Sequence, residues 1–162
     1  MRIAITSDTH LPSGQRALPA RLVQECRAAD LIIHAGDFTD AAVLAQLELA
    51  GPVTAVYGNC DDDTLTRTLP ARRIVEAGGV RIGVVHDSGG SPRRGERLAR
   101  QFPDCGIVVF GHSHQPLIER HGALLLINPG SPTDRRRQPQ GTLGVLRITD
   151  GELAEAVIVP VT

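Results

Sequence analysis

Polar side chains of metal-ligating types follow several short apolar runs of the 162-residue chain. They comprise two carboxylates, one amide and four imidazoles, with no thiolate among them: Asp8, His10, Asp37, Asn59, His86, His112 and His114. Nitrogen and oxygen ligands of this kind suit Mn²⁺, Fe, Ni²⁺, Co²⁺ or Zn²⁺ and argue against a cysteine-rich structural zinc site. Seven ligands are too many for one tetrahedral ion, but they suit two ions if one carboxylate bridges them. Two ions about 3.5–4 Å apart form a clamp for in-line displacement at phosphorus.

The segment Val108–Pro116, with the sequence VVFGHSHQP, places two of these histidines two residues apart. Side chains of an extended strand point to the same face at every second residue. If the chain stays extended here, His112 and His114 point the same way. We therefore expect them to share a target.

Apolar runs that end in these polar residues predict the strands that position them. The runs are MRIAIT, DLIIHAGD, VTAVYGN, VRIGVVH and GIVVFGHSH, in chain order. Helical spacing predicts a helix around residues 18–29. Asp40 is a suitable N-cap for a second helix that stops at Gly51-Pro52, and Ser91-Pro92 predicts the start of a third.

The later strands are predicted as hairpins that turn at Gly78-Gly79, His121-Gly122 and Asp150-Gly151, whereas residues 132–141 are typical of a loop. Strands that alternate with helices and are followed by hairpins favour one α/β domain over residues 1–162. It would contain a mixed sheet, or two packed sheets, flanked by helices. Because ligands of α/β sheets bind at the carboxyl ends of strands, the seven polar side chains can converge on one crevice.

The blocks DTH, GD, GNCD, H and GHSH, in that order and at strand ends, resemble the calcineurin-like metallophosphoesterases. The resemblance is closest to their small single-domain phosphodiesterase branch. It runs from Ile3 to about Ser131 and includes the NPGS turn at Asn128–Ser131. It implies an α/β fold of four layers, a metallophosphoesterase sandwich of two facing mixed β-sheets flanked by helices.

The resemblance also implies a role for each candidate ligand. Asp8, His10 and His114 would hold one divalent transition metal ion. Asn59, His86 and His112 would hold the other, and Asp37 would bridge the two. A hydroxide bridging the ions would attack phosphorus. The resemblance implies a catalytic role in this step for Asp37, Asn59 and His112. Mn²⁺ is the first ion we expect, with nickel, cobalt, iron and zinc left open.

Two departures from the family pattern concern substrate choice. Many relatives have histidine at the position of Cys60, where it can protonate the leaving group. A thiol with an ordinary pKa of about 8.5 is a poorer acid, so we expect a preference for good leaving groups such as aryl esters. The second departure is Asp87–Gly90 after His86, where a glycine and a polar ligand-like residue are expected.

The resemblance therefore implies a dinuclear metal-dependent phosphoric ester hydrolase, acting on phosphodiesters. One alternative is a phosphomonoesterase acting on a nucleotide or sugar phosphate. Another is a non-catalytic protein-binding scaffold, since the resemblance includes a trafficking-complex subunit with an altered metal site. This chain has all seven ligand residues, which favours the enzyme.

Several other residues have competing interpretations. His34, inside the second predicted strand, is expected to be buried and hydrogen-bonded, and could support a ligand. Asp61 could orient a neighbouring ligand or form a simple turn. Arg135–Arg137 could contact a phosphate or lie in solvent.

The composition limits the classes of partner. A formal net charge of −1 gives no overall field toward nucleic acid or anionic membranes. All 17 basic residues are arginine, which excludes a lysine nucleophile or a P-loop lysine. Three cysteines without a C-x-x-C pair favour a reducing compartment, and no apolar stretch could span a bilayer. We expect a cytoplasmic protein that acts on a small phosphate ester without membrane or nucleic-acid partners, and leave a homo-oligomer open.

Overall fold

The computed structural model describes residues 1–11 and 17–161, which form ten strands and four helices. In chain order the elements are β1 (Arg2–Thr6), α1 (Ala20–Arg27), β2 (Leu31–His34), α2 (Ala41–Glu48), β3 (Val53–Ala55), α3 (Asp63–Thr68), β4 (Arg72–Ala77), β5 (Val80–Val85), α4 (Arg94–Gln101), β6 (Ile107–Val109), β7 (Leu117–His121), β8 (Leu124–Asn128), β9 (Thr142–Thr149) and β10 (Glu152–Pro160). The prediction of one domain over 1–162 includes residues 12–16 and 162, which lie outside the described residues.

The strands form two five-stranded mixed sheets. The first has the order β10-β9-β1-β2-β3, in which β1, β2 and β3 are parallel and β9 and β10 are antiparallel to their neighbours. The second has the order β4-β5-β6-β8-β7, in which β5, β6 and β8 are parallel. The carboxyl ends of each parallel set therefore lie at one edge of their sheet.

The two sheets face each other across a core of aliphatic side chains. Ile3, Ile33, Ile82, Val109 and Ile127 belong to one buried cluster, although the first two come from one sheet and the others from the second. All positions of β2, β6 and β8 are buried, as expected for strands covered on both faces.

Helices cover both outer faces of the pair of sheets. Leu22 of α1, Leu47 of α2 and Leu65 of α3 pack with the outer face of the first sheet. On the second sheet, Leu98 of α4 and Phe102 after it pack against β6 and β8. The predicted four-layer sandwich of two mixed sheets and outer helices is confirmed. Each helix has at most eight residues, and within the described ranges none is long and apolar enough to cross a membrane.

The third predicted helix begins later than Ser91-Pro92. α4 starts at Arg94, after Arg93 in a left-handed conformation (φ 55°). Ahead of it the Ser91 carbonyl accepts the Arg94 N–H in a turn, and the Pro92 carbonyl accepts the Arg97 guanidinium. The prediction of a helix start at Ser91-Pro92 is therefore wrong, because the helix begins two residues later.

Candidate metal centre

The loops that carry the candidate ligands all follow parallel strands. Asp8 and His10 follow β1, Asp37 follows β2, and Asn59 lies after β3 in the first sheet. In the second sheet His86 follows β5, and both His112 and His114 follow β6. The facing arrangement of the sheets brings these seven side chains into one polar cluster, which we call the ligand cluster.

One half of the ligand cluster contains Asp8, His10 and His114. The Asp8 Oδ1 atom lies 3.4 Å from His114 Nε2 and 4.0 Å from His10 Nε2. The two imidazole rings are stacked with centroids 4.9 Å apart. One ligand atom from each of the three residues lies within 4.8 Å of the others, a spacing that one cation could bridge.

The other half contains Asn59, His86 and His112. The Asn59 Oδ1 atom lies 3.1 Å from His86 Nε2 and 3.0 Å from His112 Nδ1. The rings of His86 and His112 meet edge to face with centroids 5.3 Å apart. The two histidines therefore approach the amide oxygen through different ring nitrogens.

Asp37 lies between the two halves. Its Oδ2 atom is 3.4 Å from His10 Nε2 in the first half and 3.3 Å from His86 Nε2 in the second. Its Oδ1 atom accepts the backbone N–H of Cys60 at 2.8 Å. One carboxylate oxygen thus faces both groups of nitrogen ligands.

The protonation of the imidazoles leaves ring nitrogens free for a cation. His86 Nδ1 donates to the Ala35 carbonyl at 2.7 Å, and His114 Nδ1 donates to the Asp134 carbonyl at 2.5 Å. A carbonyl can only accept, so the Nε2 atom of neutral His114 carries a lone pair, and that of His86 does so once the ring gives up the proton that it donates to Asp37. The Nε2 atoms of His10 and His114 are buried without a hydrogen-bond partner. Unpaired buried nitrogens beside carboxylates fit the ligand chemistry of divalent transition metals.

The backbone of the ligand loops is unusual at five of the seven positions. Non-glycine residues rarely adopt positive φ, and such residues cluster at functional sites. The five positions are Asp8 (φ 54°), His10 (38°), Asp37 (62°), His112 (68°) and His114 (56°).

These bends correct the expectation that the GHSH segment is extended. β6 ends at Val109, and His112 and His114 lie in a bend beyond it. Both residues have positive φ, so each side chain reaches a different half of the ligand cluster. The expectation that the two side chains point the same way along a strand is therefore wrong, although both reach the same cluster.

The two carboxylates of the cluster differ in acidity. Burial raises the pKa of Asp8 to about 6, against a hydrogen bond from Ser7. Burial would also raise the pKa of Asp37, but hydrogen bonds from His86 and the Cys60 amide hold it below the usual range. The residue between the two halves is therefore the more strongly anionic one.

The histidines of the cluster are also shifted by their surroundings. Burial lowers the pKa of His10 and that of His114, which favours the neutral, ligating form of both rings. Burial alone would lower the pKa of His86, but its hydrogen bond with Asp37 and the charge of Asp37 raise it. The negative charge of Asp37 therefore attracts positive charge, whether a proton or a metal ion.

Comparison with known proteins assigns the chain to a family. Residues 1–151 match the calcineurin-like phosphoesterase superfamily domain. The chain belongs to that superfamily. It is 36% identical over 163 residues to the "probable metallophosphoesterase" of Methanothermobacter thermautotrophicus, covering 98% of this chain and 92% of the relative. It is 27% identical to a phosphodiesterase of Methanocaldococcus jannaschii, covering 80% of this chain and 83% of the relative.

The fold of this calcineurin-like domain also matches a solved structure. Vps29 of Entamoeba histolytica, in complex with Zn²⁺, superposes with a TM-score of 0.79 over the full length of both chains. The identity is 20%, so the likeness concerns the fold.

Asp61 orients two ligand loops of the calcineurin-like domain, a role that the sequence left open. Its carboxylate accepts the backbone N–H groups of Asp37 at 3.1 Å, Thr39 at 2.8 Å and Gly58 at 2.8 Å. These bonds tie the loop after β2 to the loop after β3. A Cβ atom at Gly58 would lie 2.1 Å from Asp37 Oδ1, so only glycine permits this close approach.

His34 is buried and hydrogen-bonded in the calcineurin-like domain, as predicted. Its Nδ1 accepts the Gly36 N–H at 3.1 Å, so the proton is on Nε2, which lies 3.3 Å from Thr9 Oγ1. Complete burial holds the pKa of His34 well below its usual value. The neutral ring therefore fixes the turn that carries Asp37.

The NPGS turn, which the family resemblance includes, supports the ligand loops. The Asn128 amide donates to the Gly111 carbonyl at 2.8 Å and to Ser113 Oγ at 3.1 Å. Ser131 Oγ donates to the Asp8 carbonyl at 2.7 Å. The sequence reasoning missed Ser7 and Asp134, which bind Asp8 and His114 respectively. Ser7 adjoins a ligand in the sequence, but no local signal marks Asp134.

Two cavities open beside the ligand cluster. One, of about 330 Å³, is lined by Tyr57, Gly58, Asn59, Ala71, Val85, His86, Asp87 and His112. The other, of about 310 Å³, is lined by Ser113, His114, Gln115, Arg136, Arg137 and Gln138. We call them the His112 cavity and the His114 cavity. The role of Arg135–Arg137 was undecided from the sequence. In the structure, Arg136 and Arg137 line a cavity beside the candidate ligand His114.

Proposed function

We propose that this protein is a dinuclear metal-dependent phosphodiesterase. The observation that carries the proposal is the position of Asp37 Oδ2, 3.4 Å from His10 and 3.3 Å from His86. One carboxylate oxygen that faces two sets of nitrogen ligands suits a pair of divalent ions. Membership of the calcineurin-like superfamily and the likeness to an archaeal phosphodiesterase support the same reaction.

In the proposed site Asp8, His10 and His114 hold one ion, Asn59, His86 and His112 hold the second, and Asp37 serves both. The ions, when bound, lower the pKa of water to supply a nucleophile and neutralise charge on the phosphoryl oxygens. Mn²⁺ is the first candidate, and the nitrogen and oxygen ligands also suit nickel, cobalt, iron or zinc.

The chain's own groups keep these ligands in place. The carbonyls of Ala35 and Asp134 fix the proton position on His86 and His114, and so direct each Nε2 lone pair inward. The Asn59 amide donates to Cys60 Sγ at 3.3 Å, which leaves its oxygen facing His86 and His112. Asp37, Asn59 and His112 would then contact the reacting groups.

The two cavities favour a diester over a monoester. A phosphodiester carries two organic substituents on one phosphorus, and a cavity of about 300 Å³ lies on either side of the GHSH bend. A monoester would leave one of them without a substituent. The alternative is hydrolysis of a phosphomonoester, for example a nucleotide or sugar phosphate. The assay must distinguish it from hydrolysis of a diester.

The test is metal-dependent hydrolysis after treatment with chelator and addition of Mn²⁺, Ni²⁺, Co²⁺ or Zn²⁺. We expect bis(4-nitrophenyl) phosphate to be cleaved faster than 4-nitrophenyl phosphate, with two ions bound per chain. Faster cleavage of the monoester would favour the phosphomonoesterase. No bound metal and no hydrolysis would refute the enzyme and favour a protein-binding scaffold.

Asp37→Asn is the decisive variant for the bridging role. It conserves the shape of the side chain but removes the charge that both ions would share. We expect loss of nearly all activity and of at least one bound ion. Asp40→Asn is the matched control, because Asp40 caps α2 through an oxygen that asparagine also offers. Near-normal rates in Asp37→Asn would contradict the assignment.

A further inference from the structure

We infer that the His112 cavity binds a neutral aromatic or nucleoside-type ring of the substrate, and that Tyr57, Ala71 and Val85 determine this specificity. The inference rests on the proposed function, since the ligand cluster would hold the phosphoryl group to which the ring is attached. It names the class of organic substituent that the family membership leaves open.

The cavity lies where the edges of the two sheets meet. Tyr57 follows β3 of the first sheet, and its N–H donates to the Pro70 carbonyl at 3.1 Å. Ala71 comes next, immediately before β4 of the second sheet, and Arg72 pairs with Val85. This bond and this strand pairing place three apolar side chains around one opening, beside Asn59, His86 and His112.

The chemistry of the walls suits a planar ring. The volume of about 330 Å³ exceeds what a phosphoryl group needs and is typical of small-molecule sites. The phenol ring of Tyr57, the methyl of Ala71 and the isopropyl group of Val85 offer carbon surface, and Tyr57 offers a stacking face. The remaining polar side chains are those of the ligand cluster and Asp87.

Charge selects a neutral substituent at this cavity. Asp87 places an exposed carboxylate in the lining, where its Oδ1 accepts the Gly89 N–H at 2.7 Å. A second anionic group on the substrate would be repelled there. The His114 cavity has the opposite character, because Arg136 and Arg137 line it without a carboxylate. The departure from the family pattern at Asp87 thus falls on the wall of the ring-binding cavity.

The test compares two probes that share a phosphonate group but differ in the ring. Binding of phenylphosphonate and methylphosphonate to the Mn²⁺-loaded protein is measured by titration calorimetry. We expect phenylphosphonate to bind at least about tenfold more tightly, because it buries a ring face in the cavity. Equal affinity for the two probes would overturn the inference.

Ala71→Leu blocks the cavity without touching the core, since Ala71 is exposed. We expect this variant to lose most of the preference for phenylphosphonate while methylphosphonate binds as before. Ala123→Leu is the matched control, because Ala123 is exposed beside the β7–β8 turn, at the opposite end of the sheet. An unchanged preference in Ala71→Leu would contradict the inference.

Two variants of Tyr57 add an independent readout. Tyr57→Phe should keep the preference, because the stacking face remains, and Tyr57→Ala should reduce it severalfold. Calorimetry also separates this inference from the proposed function. A ring preference without hydrolysis of any ester would refute the phosphodiesterase alone, whereas hydrolysis with equal phosphonate affinities would refute the ring site alone.

Discussion

Removal of the Asp61 carboxylate is expected to loosen two ligand loops at once. In Asp61→Ala the N–H groups of Asp37, Thr39 and Gly58 lose their acceptor. A lost hydrogen bond costs about 1 kcal/mol where water can partly replace it. Loss of all three should therefore lower the free energy of unfolding by about 3 kcal/mol. Because the bonds join the loops of Asp37 and Asn59, we also expect metal affinity to fall roughly 10–100-fold.

The adjacent Asp62 provides a matched control for this prediction. Its side chain accepts one N–H, that of Leu65, as the N-cap of α3 at 2.8 Å. Asp62→Ala should therefore cost about 1 kcal/mol and leave metal affinity unchanged. Urea denaturation of the metal-free proteins gives the free energies, and titration with Mn²⁺ gives the affinities. Equal destabilisation by the two variants, or unaltered metal binding in Asp61→Ala, would refute the reasoning.

Three further predictions concern single side chains. His112→Ala and His114→Ala should each lower the metal content from two ions to one, at different halves of the cluster; a double loss in both, measured by elemental analysis, would contradict separate ions. Cys60→His should raise the rate on alkyl diesters relative to aryl diesters, because imidazole is the better proton donor to a poor leaving group; an unchanged ratio of the two rates would exclude that role. Burial raises the pKa of Cys26 to about 12, so its thiol stays protonated at pH 8. Iodoacetamide should therefore modify exposed Cys60 before buried Cys26 in the native protein, as followed by mass spectrometry. Equal labelling of the two would contradict the burial of Cys26 and show that α1, which carries it, opens readily.

The fold could be predicted from the sequence where apolar runs are long and buried. The runs of β1, β2 and β8 are almost entirely buried. The turns at Gly78-Gly79 and Asp150-Gly151 mark the β4–β5 and β9–β10 hairpins. α3 was missed because its six residues, DTLTRT, contain one apolar side chain and show no helical period. It is stabilised by the Asp62 cap and by burial of Leu65, which only the tertiary structure supplies.

The types and order of the ligand residues could be predicted, but their backbone could not. The blocks at the strand ends named all seven side chains that the structure brings together. Left-handed backbone is usually predicted from glycine, but here it occurs at His112 and His114. The sequence therefore predicted an extended GHSH segment. Asp61 binds nearby Gly58, but its bonds to Asp37 and Thr39, like the bond between Asp134 and His114, span 20 or more positions. The sequence holds no local signal for these distant bonds.

The five left-handed positions in the ligand loops place function in competition with stability. Each costs on the order of 1 kcal/mol in a non-glycine residue, or roughly 5 kcal/mol together. That sum is comparable to the net stability of a small domain, which is about 5–15 kcal/mol. Glycine would relieve it at any of the five but would remove the carboxylate or imidazole. The most stable form of these loops would therefore lack the candidate ligands, and a bound metal ion would offset a conformational cost that the metal-free protein bears alone.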